Sequence, residues 1–334
     1  MKKKLKSTVI WVISVFLVIY LLCAPYRGLT INTEDISYRL VQAYIDTGIV
    51  PPITAASVSC ADQGENVFLL IMVPSAVSNF KQRDAIRHTW GNVSKVKPTV
   101  QVNFVLGKSK HAALQDLAHT EKLIYNDIVF EDVLETYENL TRKSIAILRW
   151  TVSFCSKVRY LLKIDDDMFL NLPRLLRYLT EFSQVNTILG CKVSHTAPFR
   201  NPFSKWYVSH DQYEDREYPE YIAGTAYLIS GDVIYDLYQA TDKVPYFIFE
   251  DVFITGLCRK QIGAVAKEHR EFSCGSREIG PCGKNFRYMI TGHHYSPPEL
   301  TRMWVELQNR WSDCRLVDYF FIYSLIDIFK WIFL

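Results

Sequence analysis

The run Val158-Arg-Tyr-Leu-Leu-Lys-Ile164, followed at once by Asp165-Asp166-Asp167, constrains this chain more than any other stretch. A short, nearly continuous apolar run is the mark of a strand buried on both faces. Three adjacent carboxylates repel one another, so a fold that sets them at the end of such a strand needs a counter-charge there. Hard cations such as Mg2+ or Mn2+ take oxygen ligands and share them with substrate phosphates. An acidic turn or a helix cap is the plainer reading of the same residues.

Similar runs recur. Val67–Val73 is apolar and ends at Pro74, Val100–Leu106 is closed by Gly107, and Thr225–Ser230 reads as a further strand. Helical patterns lie between them: Lys81–Trp90, with Arg83 and Arg87 on one face, Tyr137–Phe154, Pro173–Phe182 and Asp232–Thr241. This alternation predicts an α/β fold with a mostly parallel central sheet, in which ligands bind beyond the carboxyl ends of the strands. The three aspartates stand at such an end. With 334 residues, 49% of them hydrophobic, the chain can bury a large core. A net charge of +3 and the lack of a basic stripe interleaved with aromatics argue against a nucleic-acid partner.

Residues 1–6 carry four lysines and precede an apolar run. Residues 7–24 are long enough for a single membrane span, and the lysines put the N-terminus in the cytoplasm. A cleaved signal peptide is the competing reading. Leu22-Cys23-Ala24 is a poor cleavage site with Pro25 behind it, which favours an uncleaved anchor. Residues 25–65, polar and containing Pro51-Pro52, read as a stem. Residues 66–314 form the folded lumenal domain, and residues 315–334 are an apolar tail of no evident role. Sequons at Asn92 and Asn139 fit a lumenal placement. So do seven cysteines beyond the anchor, Cys60, Cys155, Cys191, Cys258, Cys274, Cys282 and Cys314, most of which should pair in an oxidising compartment. No CxxC pair suggests zinc instead.

Glu250-Asp251 lies between the apolar stretches Tyr246–Phe249 and Val252–Ile254. Charges in such a setting are costly unless paired or used. A carboxylate held in a cleft suits general-base work, whereas a capped helix start is the bland alternative.

Several blocks, in order, resemble the β-1,3-galactosyltransferase and β-1,3-N-acetylglucosaminyltransferase family, to which the Fringe-type enzymes are distant relatives. They are Arg83-Asp-Ala-Ile-Arg87-His-Thr-Trp90-Gly91, Phe104-Val-Leu-Gly107, Tyr125–Asp132 with Tyr137–Lys143, Lys163–Phe169, Ser204–Ser209, Tyr218-Pro-x-Tyr221 with Gly224, and Glu250-Asp251-Val252. The resemblance spans about residues 66–312. It implies a GT-A-type nucleotide-sugar-binding fold and a type II Golgi membrane enzyme. Such an enzyme uses a UDP-sugar and Mn2+ (or Mg2+) and inverts the anomeric carbon. The acceptor would be a glycan on a glycoprotein or glycolipid. It further implies Asp251 as general base with Glu250 beside the acceptor, and Asp167, Asp165 and His293 (or its neighbour His294) around the metal. Arg83, Arg87, Lys163, Asp165 and Asp166 would attend the donor, the arginines directly or by holding a nearby loop. Trp206 and Tyr207 would wall the acceptor. UDP-galactose is the expected donor, with UDP-N-acetylglucosamine second. A catalytically silent lumenal glycan-binding module and a secreted binding module are the readings of another class. The chain departs from the family at Ile254-Thr255, where many galactosyl members are one residue shorter, and in its apolar tail.

Overall fold

The computed structural model describes residues 60–92, 97, 99–275 and 285–308. The expected anchor, nearly all of the stem, the C-terminal tail, Cys282, Cys314 and the second and third residues of the Asn92 sequon lie outside the described residues. Among the described residues, no helix is long and apolar enough to cross a membrane. The described residues include 60–65, ahead of the expected boundary at residue 66. Cys60 is buried and bonded to Cys155, and a 3-10 turn over Ala61–Gly64 follows it.

The chain then runs β1 (Leu69–Pro74), α1 (Phe80–His88), β2 (Val100–Lys108), α2 (Ala112–Tyr125), β3 (Ile128–Leu134), α3 (Leu140–Phe154), β4 (Tyr160–Ile164) and β5 (Phe169–Leu170). It continues through α4 (Leu172–Glu181), β6 (Thr187–Val193), β7 (Tyr221–Ser230), α5 (Ile234–Lys243), a π-helical turn (Val252–Cys258), α6 (Arg259–Ile262), β8 (Val265–Glu268), β9 (Thr291–Gly292) and α7 (Pro297–Gln308). Seven strands form one sheet in the order β3-β2-β1-β4-β7-β6-β8. β1 pairs in parallel with β2 and β4, β2 with β3, and β6 with β8. Only β7 runs against its neighbours β4 and β6. The sheet is therefore mostly parallel, as the alternation of runs requires.

Every residue of β1 is buried because helices cover both faces of the sheet. Leu69, Ile71 and Val73 join one core layer with Ile86 of α1, Ala118 of α2 and Leu172, Leu175, Leu176 and Leu179 of α4. Leu70 and Met72 point into the opposite layer, against Ile147 and Leu148 of α3, Leu237 of α5 and Phe253 of the π turn. This split is the period-two alternation of a strand resolved into two cores. α4 starts where Pro173 fits the first turn and Asn171 accepts from the Arg174 N–H at 3.3 Å. A third, smaller core joins α7 to α1 through Leu300, Met303 and Ala85.

Candidate active site

β4 ends at Ile164, level with Ala226 of the antiparallel β7, and the acidic triplet begins one residue later. The Asp165 N–H donates to the Thr225 carbonyl at 3.0 Å, pinning the turn to β7. Each of the three acids then meets a different partner, which removes much of the repulsion that adjacency would cause.

Asp165 accepts from the Lys163 ammonium at 2.6 Å. Asp166 accepts from Ser75 Oγ at 2.6 Å and Asn79 Nδ2 at 2.9 Å, so it clamps the loop between β1 and α1. Burial lifts both carboxyls above the ordinary range, while Lys163 for the first, and Ser75 and Asn79 for the second, pull them back. Asp167 faces two histidines. Its Oδ2 lies 3.4 Å from His293 Nε2 and 3.4 Å from His294 Nδ1. The two-residue pairing of β5 with β9 carries the histidines there, and the Tyr295 N–H donates to the Asp167 carbonyl at 3.0 Å.

The second acidic motif closes on the first. The Lys163 ammonium donates to the Gly224 carbonyl at 2.5 Å and lies 3.8 Å from Glu250 Oε2. Burial works against its charge, but Asp165 and Glu250 outweigh burial and hold the ammonium above its ordinary range. Glu250 is buried and accepts from the Tyr227 hydroxyl. Asp251 Oδ2 accepts from the Gly224 N–H at 3.2 Å and Oδ1 from the Val252 N–H at 2.9 Å. Desolvation raises both carboxyls, and Lys163 opposes the rise. A Cβ at residue 224 would stand 3.1 Å from Glu250 Oε2 and 3.2 Å from Asp251 Cβ, so a side chain there would crowd both carboxylates. Asp251 also caps the helical stretch behind it, so the capped-start reading and the cleft-carboxylate reading describe one residue.

Behind Asp251 the helix widens into the π turn, a form common as a single turn at functional sites. Ile254 and Thr255, where the resemblance implied a departure from the family, fall inside it. Thr255, fully buried, bridges the turn to β7. Its Oγ1 accepts from the Ile222 N–H at 2.8 Å and lies within donating reach of the Ile222 carbonyl (2.9 Å) and the Asp251 carbonyl (2.6 Å).

The arginines correct a sequence expectation. Arg83 is fully buried and its guanidinium is spent on Glu121, Ser75 Oγ and the Ala76 and Val77 carbonyls. Arg87 forms a double bond pattern with Asp127, pairs with Glu121 at 2.7 Å and is covered by the Tyr125 ring. Neither guanidinium is open to a phosphate. What remains is the indirect arrangement: Glu121 holds Arg83, Arg83 holds Ser75, and Ser75 holds Asp166. Asp165 also departs from expectation, because its carboxylate is engaged by Lys163 and is not among the groups around the histidines. His294, the alternative within the doublet, takes that place.

Trp206 and Tyr207 are partly exposed on a loop closed by the Phe199–Tyr207 bridge. Trp206 lies beside Tyr137, a half-exposed residue close enough to feel the charges of Asp251 and Asp165. Tyr137 was not expected at the site, although it opens the Tyr137–Lys143 block. Asn139 donates to the Leu134 carbonyl at 3.0 Å, and Thr141 of its sequon is buried and bonded to the Ile248 carbonyl. Asn92 is exposed at the end of a 3-10 turn.

Asp167 Oδ2, one nitrogen of His293 and one of His294 all lie within 4.8 Å of one another. His293 Nδ1 is 2.7 Å from the Gly275 carbonyl, which can only accept, so Nδ1 carries a proton, and in the neutral ring Nε2 presents a lone pair. In that form Nε2, the Asp167 carboxylate and the His294 ring are three groups that could hold a cation. One carboxylate and two imidazoles are a donor set of the kind that holds a divalent transition-metal cation.

The Galactosyltransferase family model matches residues 81–270. The chain is 32% identical over 246 residues to Beta-1,3-galactosyltransferase 1 of Mus musculus and of Homo sapiens, covering 73% of this chain and 74% of each relative. It is 34% identical over 256 residues to Lactosylceramide 1,3-N-acetyl-beta-D-glucosaminyltransferase of Rattus norvegicus, covering 73% of this chain and 67% of that one. Among solved structures, a 4-diphosphocytidyl-2C-methyl-D-erythritol synthase from Anaerococcus prevotii DSM 20548 matches with a TM-score of 0.38 at 14% identity. It covers 62% of this chain and 88% of that one, and the likeness is too loose to argue from.

Proposed function

The chain belongs to the galactosyltransferase family and is a hexosyltransferase, and we propose that it transfers galactose from UDP-galactose in β-1,3 linkage to a glycan acceptor, with inversion. The observation that carries this reading is the junction of the two acidic motifs through Lys163, which lies 2.6 Å from Asp165 and 3.8 Å from Glu250. It sets a desolvated carboxylate, Asp251, beside the turn at the carboxyl end of β4, where a nucleotide-sugar is bound in α/β sheets.

Asp251 takes the proton of the acceptor hydroxyl as its oxygen attacks the anomeric carbon. The bond from that carbon to the diphosphate oxygen breaks, and UDP leaves with the electron pair. One in-line displacement needs one base and no covalent nucleophile. Lys163 keeps Asp251 ionised and orients Asp165 toward the donor. Asp166 holds the loop of Ser75 and Asn79. Glu250 orients the acceptor, and Trp206 and Tyr207, with Tyr137, offer it ring faces. Asp167, His293 and His294 would hold Mn2+, which supplies charge to offset the leaving diphosphate. Placement in the Golgi membrane through residues 7–24, with the catalytic part lumenal and Asn92 and Asn139 available for glycosylation, completes the reading. UDP-N-acetylglucosamine is the second candidate donor, favoured by the comparable identity to the rat glucosaminyltransferase.

The test is transfer by the full-length chain in detergent. UDP-galactose and UDP-N-acetylglucosamine are offered separately with protein- and lipid-linked glycan acceptors, with Mn2+ or a chelator. Chelator-sensitive transfer of galactose supports the proposal. Transfer of N-acetylglucosamine alone moves it to the second donor. A folded chain that binds no UDP overturns it in favour of a silent module.

A further inference from the structure

Cys274 is bonded to Cys191 of β6, and the next residue, Gly275, supplies the carbonyl that His293 Nδ1 bonds at 2.7 Å. Gly275 has φ +98, a left-handed backbone that glycine alone adopts without strain. The segment ahead of it is wedged between two strands. The Ser273 N–H donates to Thr291 Oγ1 at 2.8 Å, and Thr225 Oγ1 donates to the Ser273 carbonyl at 3.2 Å. A covalent bond, two cross-bonds and one left-handed residue thus aim a single carbonyl at a single ring.

We propose that the Cys191–Cys274 disulfide, through the Gly275 carbonyl, is a positioning element that sets the divalent-cation affinity of the Asp167, His293 and His294 group. This rests on the reading that those three residues take a cation. With the carbonyl in place, Nδ1 holds the proton and Nε2 is free toward Asp167. Without it, the other tautomer can donate its Nε2–H to Asp167 and close the gap that a cation needs. Partners that fix a liganding histidine typically change metal affinity by about 10- to 100-fold. The second disulfide, Cys60–Cys155, ties the start of the fold to the end of α3 and adjoins none of the three ligands, so it serves as the control.

The experiment is a titration of the full-length chain with Mn2+ alone, following free Mn2+ by electron paramagnetic resonance, with circular dichroism to confirm folding. C191S/C274S is expected to bind Mn2+ about 10- to 100-fold more weakly, and C60S/C155S to bind as the unaltered chain does. G275A keeps the disulfide but displaces the carbonyl, and it is expected to weaken binding likewise, which keeps the test available if the double serine variant does not fold. Unchanged Mn2+ affinity in a folded C191S/C274S or in G275A overturns the inference. An unaltered chain that takes up no Mn2+ overturns the cation reading itself, and that outcome is visible before any substitution is made.

Discussion

The Lys163 ammonium lies 3.8 Å from the Glu250 carboxylate while donating to Asp165 at 2.6 Å, so one buried cation serves both acidic motifs. Asp251 shares this setting, with Lys163 and Glu250 nearby and the phenols of Tyr137, Tyr218 and Tyr221 within range of its charge. Desolvation raises its carboxyl and Lys163 opposes the rise. The proposed base must be ionised to act, so activity is expected to be lost as pH falls through its raised pKa, above the ordinary aspartate value of about 3.9. Lys163→Met removes the opposing charge and lifts the pKa further. The acid limb of the kcat/KM profile of the residual activity should therefore move to higher pH, and a limb that stays in place or moves lower would count against Asp251 as the base.

Asp251→Asn keeps the shape of the side chain and removes the proposed base. The expected loss in kcat is about 10^2- to 10^4-fold, the usual contribution of a positioned base. UDP affinity, measured calorimetrically, should stay within error, because Asp251 stands apart from the groups that would hold the diphosphate. A comparable loss of UDP binding would assign the residue to the donor instead.

Thr255→Val strips the bridge between the π turn and β7 and leaves the Ile222 N–H without its acceptor. Leaving a buried donor unpaired costs about 1–3 kcal/mol, readable as a lower denaturation midpoint. With Asp251 freed from its register on Gly224, kcat should fall more than the acceptor KM rises. Thr255→Ser restores the hydroxyl and should restore both. If Val leaves kcat intact, Thr255 is packing alone.

Arg83→Met breaks a buried ion pair and takes away the donor that orients Ser75 Oγ. Removal of one partner of such a pair costs about 3 kcal/mol, and urea unfolding would register it. UDP binding should weaken as well, because Ser75 then no longer holds Asp166 in place. Unchanged UDP affinity in the folded variant would separate the arginine from the donor loop.

Much of the fold was legible because buried parallel strands are apolar throughout. The runs at 67–73, 100–106 and 158–164 became β1, β2 and β4 within two residues at each end. β3 and β6 did not stand out. β3 forms the edge of the sheet and alternates burial with exposed Asp132 and Leu134, and β6 contains Gly190 and Lys192 and shifts register against β7 between them. α2 was missed for a related reason: only Ala118 and Glu121 of its fourteen residues are buried, so it carries no apolar stripe. At the site, the acids stood out because adjacent charges are improbable after a strand. The resemblance left open whether the arginines meet the donor directly or hold a nearby loop, and the acids that engage them, Glu121 and Asp127, lie too far along the chain for local pattern to decide. The π turn has no local signature in the apolar run Val252–Cys258.

The β5–β9 pairing has a consequence for the order in which the molecule is made. The ribosome delivers the acidic triplet near the middle of the chain, but its third member does not meet its histidines until Gly292 has paired with Phe169 and the Tyr295 N–H has reached the Asp167 carbonyl. Non-local contacts of this kind form late, after the closure entropy of the intervening chain has been met. On the proposed reading, a chain still lacking residue 291 and beyond can form the sheet but not the Asp167 and histidine group, so chains truncated before residue 291 should be folded in part yet inert.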